Sequence, residues 1–450
     1  TLGGVDGTAS AAEAQTTTPS GMPRVILKRN RQSKSFRDGS QLIFSGSIGK
    51  IPDSIALADL VQVEVPASDD PNNKNTQLVG WGVYNPDSMY RVRILQHALL
   101  NPKLKFASAM DDDKTPIELI LSSQMEKALK TRQALGLPSD TTDTYRLVNG
   151  EGDGLSGLAV DVIGNKVAVI MSSAAWCQVH QPTIMECLQA VLPGHELIWK
   201  TTAARLRQDG MEIPNDDDED DDGGDEAESL PIVGMENGIK FQTFPHLKGQ
   251  KTSVYCDQRE NRWDVAQLSK GKRVLDLCCY HGGFSLNAAS HGATCVVGVD
   301  SSEEAIETCV KNAALNGLQD TVTFVKSDIS DYMKDCKSTF DLVILDPPKL
   351  APSLSGLAKA SRKYHSLNRD ALKLVAEKGG LFMTCSCSAA MTQKDGGKFF
   401  LQTVQQASLS AQREITLMRV SGAAPCHTQS PVSFPAGNYL TAALFYVHAK

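Results

Sequence analysis

From Arg273 onward the sequence repeats one unit: a short, nearly uninterrupted apolar run followed by a helical stretch. The runs are Val274-Leu275-Asp276-Leu277, Cys295-Val296-Val297-Gly298-Val299, Val322-Thr323-Phe324-Val325, Leu342-Val343-Ile344-Leu345 and Leu381-Phe382-Met383. A strand that is apolar on both faces must be covered on both faces, and the intervening helices supply the cover. The pattern therefore requires a parallel α/β sheet. The helix after the second run is the best marked. Ser301 with Glu304 reads as a capping box, Ile306, Cys309, Val310 and Ala313 read as one face, and Gly317 reads as the stop. The tail breaks the repeat, because Ile415 to Val420 and Tyr439 to Val447 read as two closing strands with no helix between them.

The ends of these strands carry acids. Asp276 closes the first strand, and Cys278-Cys279-Tyr280-His281-Gly282-Gly283-Phe284 follows it. Paired glycines at a strand-to-helix turn let the backbone approach a ligand, which in open α/β sheets lies beyond the carboxyl ends of the strands. Asp300 ends the next strand, 24 residues after Asp276, where a carboxylate can accept bonds from both hydroxyls of a ribose. Asp328 follows the third strand, where it can face an adenine edge, and the fourth ends in Asp346-Pro347-Pro348-Lys349. Each acid alone is a common helix cap or turn residue. Four in register point instead to a nucleoside site of the S-adenosylmethionine type. The loop lacks the G-x-G-x-x-G that a dinucleotide pyrophosphate wants. The expected cofactor contacts are Asp276, Tyr280, Gly282, Gly283, Asp300, Ser301, Asp328 and Asp346.

Ahead of this region the chain divides into further parts. Residues 1–22 lack the marks of a secretory or Arg-rich transit peptide and are expected to be a disordered leader, or the remnant of a removed targeting segment. Residues 23–100 alternate short strands and turns, as in Val61-Gln62-Val63-Glu64-Val65, and suit a partly closed β-barrel. Arg24, Lys28, Arg29, Arg31, Lys34 and Arg37 crowd its start, as a solvated edge or as a phosphate-contacting patch. Residues 110–210 mix helix and strand signals. Met125 to Leu135 and Pro182 to Val191 read as helical, and a strand pair flanks Gly164-Asn165. No catalytic set stands out there.

Residues 211–232 form an acidic loop or linker before the final domain, 233–450. Residues 216–228 hold ten acidic residues; without them the chain carries 42 acidic against 45 basic residues, so the net charge of −7 does not exclude a nucleic-acid partner. No apolar stretch reaches the roughly 18 residues of a membrane span. The 11 cysteines include no C-x-x-C pair and no zinc-type cluster, so no metal is expected and a reducing compartment is.

One cysteine stands apart. Gly379 to Ser388 (GGLFMTCSCS) is the fifth strand with its exit, and a thiol leaving its carboxyl end faces the crevice of Asp346. Carbon 5 of a pyrimidine is a poor nucleophile. A thiolate adding to carbon 6 activates it, provided that an acid meets the charge developing at N3. Cys387 and Asp346 could fill these roles. The alternative is that Cys385 and Cys387 are both buried strand residues; Cys385, deeper in the strand, is the more structural of the two.

The motifs together resemble the bacterial-type PUA-domain RNA methyltransferases that make 5-methylcytosine in large-subunit rRNA. The resemblance spans about residues 23–450. It rests on Tyr255-x-Asp257-Gln258-Arg259-x-x-Arg262, Tyr280-x-Gly282-Gly283-Phe284, Asp346-Pro347-Pro348-Lys349 and Ser386-Cys387-Ser388. It also rests on Tyr145-Arg146-Leu147 with Gly150-Glu151-x-Asp153-Gly154-Leu155. It implies a PUA-like β-barrel, a small α+β middle domain and a Rossmann-like, seven-stranded methyltransferase domain. S-adenosylmethionine is the implied cofactor, RNA the partner, Cys387 the nucleophile and Asp346 its acid. Gln258 and Arg259 would lie on a segment near the cofactor. His281 and Cys278-Cys279 depart from the family's turn, the acidic insertion is foreign to it, and Lys349 leaves unassigned the base that removes the carbon-5 proton.

Other readings stay open. A guanine-N7 methyltransferase needs no thiol, and an exocyclic-amine enzyme usually has an aromatic residue where Lys349 stands. A small-molecule enzyme would not need the N-terminal domain. A non-catalytic RNA-binding or ribosome-assembly protein would not need its four acids. A homodimer is left open, and so is a cytoplasmic or organellar setting, but not secretion.

Overall fold

The structure, a computed structural model, describes residues 21–29, 39–68, 70, 72–100, 114–212, 231–246, 255–351, 353–431 and 433–450. Most of the expected leader and acidic loop lies outside these residues, as do Arg31, Lys34 and Arg37.

The N-terminal strands are β1 (Arg24–Leu27), β2 (Leu42–Phe44), β3 (Ile48–Lys50), β4 (Leu60–Pro66), β5 (Thr76–Tyr84) and β6 (Tyr90–His97). They form one sheet in the order β2-β6-β5-β4-β1-β3. Its two outer strands are consecutive in the chain, joined only by a 3-10 turn at Ser45–Ser47. The short link brings one end of each edge together and so curls the sheet, as expected for a partly closed barrel; among the described residues β2 and β3 are not paired with each other. The described part of the basic cluster is engaged locally. Arg24 grips Glu64 through Nε at 2.9 Å and Nη2 at 2.5 Å, Lys28 Nζ donates to the Gly46 carbonyl at 2.9 Å, and Arg29 donates to the carbonyls of Asp70 and Asn73. The phosphate-patch reading finds no support in these three, because each cation has an acceptor of its own domain within reach.

The middle unit carries β7 (Tyr145–Asn149), β8 (Leu158–Ile163), β9 (Val167–Ser172) and β10 (Glu196–Thr201), ordered β10-β9-β8-β7. Its long helix, Pro116–Ala134, starts nine residues before the expected Met125. Thr115 caps it by accepting from Glu118 N, and Pro116 occupies the first turn, where a missing N–H costs nothing. The middle-domain motif is a set of buried ion pairs. Arg146 meets Asp161 at 2.5 and 3.1 Å, and Arg132, fully buried, meets Asp153 at 2.5 and 2.9 Å. Arg132 also donates to the Cys426 carbonyl at 2.6 Å, and Asp153 accepts from Thr428 Oγ1 at 2.8 Å. A Cβ on Gly152 would overlap the Thr428 carbonyl, so a glycine is needed where the motif touches the C-terminal domain.

A hairpin of β11 (Ile232–Glu236) and β12 (Ile239–Thr243) leads into the C-terminal domain. That domain holds β13 (Arg273–Leu277), β14 (Cys295–Asp300), β15 (Val322–Lys326), β16 (Leu342–Leu345), β17 (Gly380–Ser386), β18 (Ile415–Ser421) and β19 (Thr441–Val447). The order is β15-β14-β13-β16-β17-β19-β18, parallel except for β19, which is antiparallel to both of its neighbours. Central β16 is buried throughout, whereas edge strand β18 is exposed along most of its length. From β13 the chain winds to one side through β14 and to the other through β16, which opens a crevice at the tip of β13. Two details of the helix Glu303–Leu315 correct the sequence reading. Ser302, not Ser301, is its cap, accepting from Ala305 N, and Val310 is 54% exposed, because the buried face follows Ala305, Cys309, Asn312 and Ala313.

Replacing Arg132 by Met would strand the Asp153 carboxylate beside Thr428. The expected loss is about 3–5 kcal/mol, read as a lower urea midpoint, with partial recovery in Arg132→Met/Asp153→Leu. An unchanged midpoint for the single variant would show that the pair carries no stability.

Candidate active site

The turn after β13 runs left-handed at three of five residues: Cys278 at φ 66°, Tyr280 at φ 48° and Gly282 at φ 84°. For each non-glycine residue this conformation costs about 1–2 kcal/mol, so the surroundings have to hold it. They do so from two sides. Asp300 Oδ2 accepts from Tyr280 N at 3.0 Å while Oδ1 accepts from Ser302 N at 3.0 Å. From the helix Glu303–Leu315, the Cys309 thiol donates to the Tyr280 carbonyl at 2.8 Å and Asn312 Nδ2 to the His281 carbonyl at 3.2 Å. His281, the departure noted in the motif, stacks on Tyr280 with ring centroids 3.7 Å apart.

Asp276 faces the start of the next helix. Its Oδ2 accepts from Ser285 N at 3.0 Å and from Ser285 Oγ at 2.7 Å. Burial pushes its carboxyl up to about 6, against the pull of those bonds. Its Oδ1 is buried without a hydrogen-bond partner among the described residues. Gly283 presses against Arg262: a Cβ there would lie 2.6 Å from Nε. Arg262 cannot yield, because Nη1 holds both oxygens of buried Glu236 at 2.8 and 2.9 Å and Nη2 donates to the Tyr255 carbonyl at 2.9 Å. A pocket opens here, lined by Phe241, Tyr255, Arg262, Cys278, Tyr280, Phe284 and Asp346, among others.

On the other side of the pocket, Asp346 leaves β16 and Cys387 leaves β17. Cys387 Sγ lies 3.9 Å from Asp346 Oδ1, within reach of a thiol hydrogen bond, and Gln258 Nε2 donates to Oδ2 at 2.9 Å. Burial, with the negative charge of Asp257 second, pushes the Asp346 carboxyl up to about 7. Cys387 is half-buried, whereas Cys385, one strand repeat back, is fully buried.

The structure thus brings together Asp276, Tyr280, Gly282, Gly283, Asp300, Asp346, Cys387 and Gln258. The others make different contacts. Arg259 points toward Cys426 Sγ (3.6 Å) and Glu260, because the helix starts at this residue and turns consecutive side chains about 100° apart. Asp328 is exposed and caps the helix Ile329–Asp335 through Ser330 N at 2.7 Å. Ser301 is exposed beside Asp300. Glu236 and Phe241 escaped the sequence reading. Their hairpin turns on Asn237-Gly238, both at positive φ, and this dipeptide is the signal that could have found them.

A methyltransferase-domain family model matches residues 268–423, and a PUA-like-domain model matches residues 25–97. The ribosomal RNA large subunit methyltransferase I of Escherichia coli K12 is 28% identical over 427 residues, covering 93% of this chain and 97% of that protein. The protein of that name from Shewanella denitrificans is 32% identical over 366 residues, covering 80% and 85%. The chain belongs to the ribosomal RNA large subunit methyltransferase I family. The fold agrees with a structure described as an S-adenosylmethionine-dependent methyltransferase from Streptococcus mutans, with a TM-score of 0.69 at 19% identity, covering 94% of this chain and 100% of that one. A second, solved with S-adenosylhomocysteine, has the same TM-score at 20% identity.

Like its family, the chain is an S-adenosylmethionine-dependent methyltransferase with a PUA-like domain ahead of a Rossmann-like one. The residues present suit that cofactor. The orphaned Asp276 oxygen and the Asp300 carboxylate offer acceptors for its amine and hydroxyl donors. No helix among the described residues is long and apolar enough to cross a membrane.

The raised Asp346 carboxyl fixes the sign of one pH effect. Its ordinary value is about 3.9, so the fold favours the neutral form. That contribution is complete below about pH 4 and is lost as pH rises through about 7. Asn cannot ionise. The melting temperature of Asp346→Asn relative to wild type should therefore climb between about pH 4 and 7 and level off above. A difference independent of pH would contradict the buried-carboxyl account.

Proposed function

We propose that this protein methylates carbon 5 of a cytosine in large-subunit rRNA through a transient bond to Cys387. The observation that carries the proposal is the 3.9 Å approach of Cys387 Sγ to Asp346 Oδ1, at strand tips on the rim of the cofactor turn. The names of the relatives supply rRNA as the substrate class. S-adenosylmethionine, when bound, supplies an electrophilic methyl group. Asp276, Asp300, Tyr280, Gly282 and Gly283 would hold it.

The protein's part is to make carbon 5 nucleophilic. Cys387 adds through sulfur to carbon 6, and its proton passes to Asp346. Asp346 in turn gives a proton to ring N3, where negative charge would otherwise collect. A carboxyl held at about 7 suits both transfers near neutral pH, since it gains and loses a proton with little driving force either way. Gln258 fixes the orientation of the carboxyl. A guanine-N7 methyltransferase would leave this pairing without a task, because that nitrogen is nucleophilic already.

Two substitutions test the reading. Cys387→Ala should abolish methyl transfer to rRNA while a calorimetric titration shows cofactor affinity nearly unchanged. Methylation of cytosine at the normal rate would end the covalent mechanism. Asp300→Ala should weaken cofactor binding by about 1–3 kcal/mol through lost charge-assisted hydrogen bonds; an unchanged dissociation constant would remove Asp300 from the site.

A further inference from the structure

The covalent reading leaves one proton without a destination: the hydrogen on carbon 5 after that carbon has taken the methyl group. Cys387 is then bonded to carbon 6, and Asp346 is taken up in recovering the proton that it lent to N3, so neither is free for the carbon-5 proton. A third group has to accept it.

Asp257 sits on the 3-10 turn Cys256–Gln258, immediately before the residue that grips Asp346. It is 8% exposed. Its Oδ2 accepts from the Tyr439 hydroxyl at 2.6 Å, and its Oδ1 is buried with no hydrogen-bond partner among the described residues. Leaving such an oxygen unpaired costs about 1–3 kcal/mol, so an orphan of this kind calls for an explanation. Tyr439 comes from the other side of the site. Thr441 pairs with Ser386 in the β17–β19 ladder, which puts Tyr439, two residues earlier, beside the strand exit that carries Cys387. The charges of Asp257 and Cys387 both act on the Tyr439 hydroxyl, and that of Asp257 acts on Asp346. Around Asp346 the fold therefore gathers a thiol, a second carboxyl and, hydrogen-bonded to that carboxyl, a phenol.

We infer that Asp257, positioned by Tyr439, is the base that takes the carbon-5 proton. The inference rests on the covalent cytosine reading above. In this step the C5–H bond breaks and its electron pair forms the C5–C6 double bond. The C6–Sγ bond breaks, and its pair stays on the sulfur of Cys387. The carbon-5 proton goes to Asp257 Oδ1, and N3 returns its proton to Asp346. No further reactant is consumed.

The test uses the full-length protein, methyl-labelled S-adenosylmethionine and large-subunit rRNA transcribed with cytidine or with 5-fluorocytidine, whose carbon 5 has no proton to lose. Asp257→Asn should bind cofactor normally and accumulate a detergent-stable, methyl-labelled protein–RNA adduct on cytidine RNA. Release of product should slow by about 100-fold or more. Tyr439→Phe should accumulate a smaller amount of the same adduct, which a loss of packing alone would not produce. Asp257→Asn releasing methylated RNA at the wild-type rate overturns the assignment, and so does an Asp257→Asn protein that binds cofactor but forms no labelled adduct. Wild-type protein that forms no adduct even on 5-fluorocytidine RNA overturns the cytosine reading itself, and this inference with it. Trapping by wild type without accumulation in Asp257→Asn overturns only the role of Asp257.

Discussion

The site depends on a loop that the chain would not adopt unaided. Between β13 and the following helix the backbone turns left-handed three times, twice at residues with a side chain. The carboxylate of Asp300 holds the N–H of Tyr280 and the thiol of Cys309 holds its carbonyl, which fixes the peptide units on both sides of that residue. Asp276 ties the helix start back to the strand. Remove these braces and the turn has no reason to keep its shape, and the pocket loses the wall against which Arg262 and Asp346 stand. The same acids thus support the loop, and the bonds from Ser285 offset part of the cost of burying a carboxyl such as Asp276.

The fold was legible in the sequence because its strongest signals are local. An apolar run covered on two faces reads directly as a central parallel strand, and β13, β14, β16 and β17 are such runs. The acids that end them fall at the sheet tips because the strand period leaves no alternative. The approach of Cys387 to Asp346 was anticipated for the same reason: neighbouring parallel strands end side by side. What could not be read was direction and distance. Gln258 and Arg259 are adjacent in sequence, yet one reaches Asp346 and the other Cys426. Glu236 and Tyr439 enter from segments far along the chain, and only the folded contacts reveal them. Single-residue register also escaped. A helix beginning one residue later made Ser302 the cap and turned Val310 outward.

Charge reading had a similar limit. Six basic residues near the start of the barrel left a solvated edge and a phosphate surface both open, and the three described ones are engaged with acceptors of their own domain. Counting cations does not reveal whether a local carbonyl or carboxylate has already claimed them. Asp153 of the middle-domain motif behaves the same way, and so does Asp161 beside it: both are engaged by arginines.

Those arginines also set the mechanics of the molecule. Arg132 and Asp153 hold Cys426 and Thr428, while Asp257 accepts from Ala424 N at 2.7 Å through its own carbonyl. The stretch between β18 and β19 is therefore pinned within five residues, Ala424 to Thr428, both to the turn beside Asp346 and to the middle unit. It acts as a tie: through Arg132 the long helix Pro116–Ala134 and, through Asp257, the turn at Cys256–Gln258 hold the same short length of chain. The middle unit, which bears no reactive group of the site, is in this sense part of the frame that keeps sulfur and carboxyl aligned.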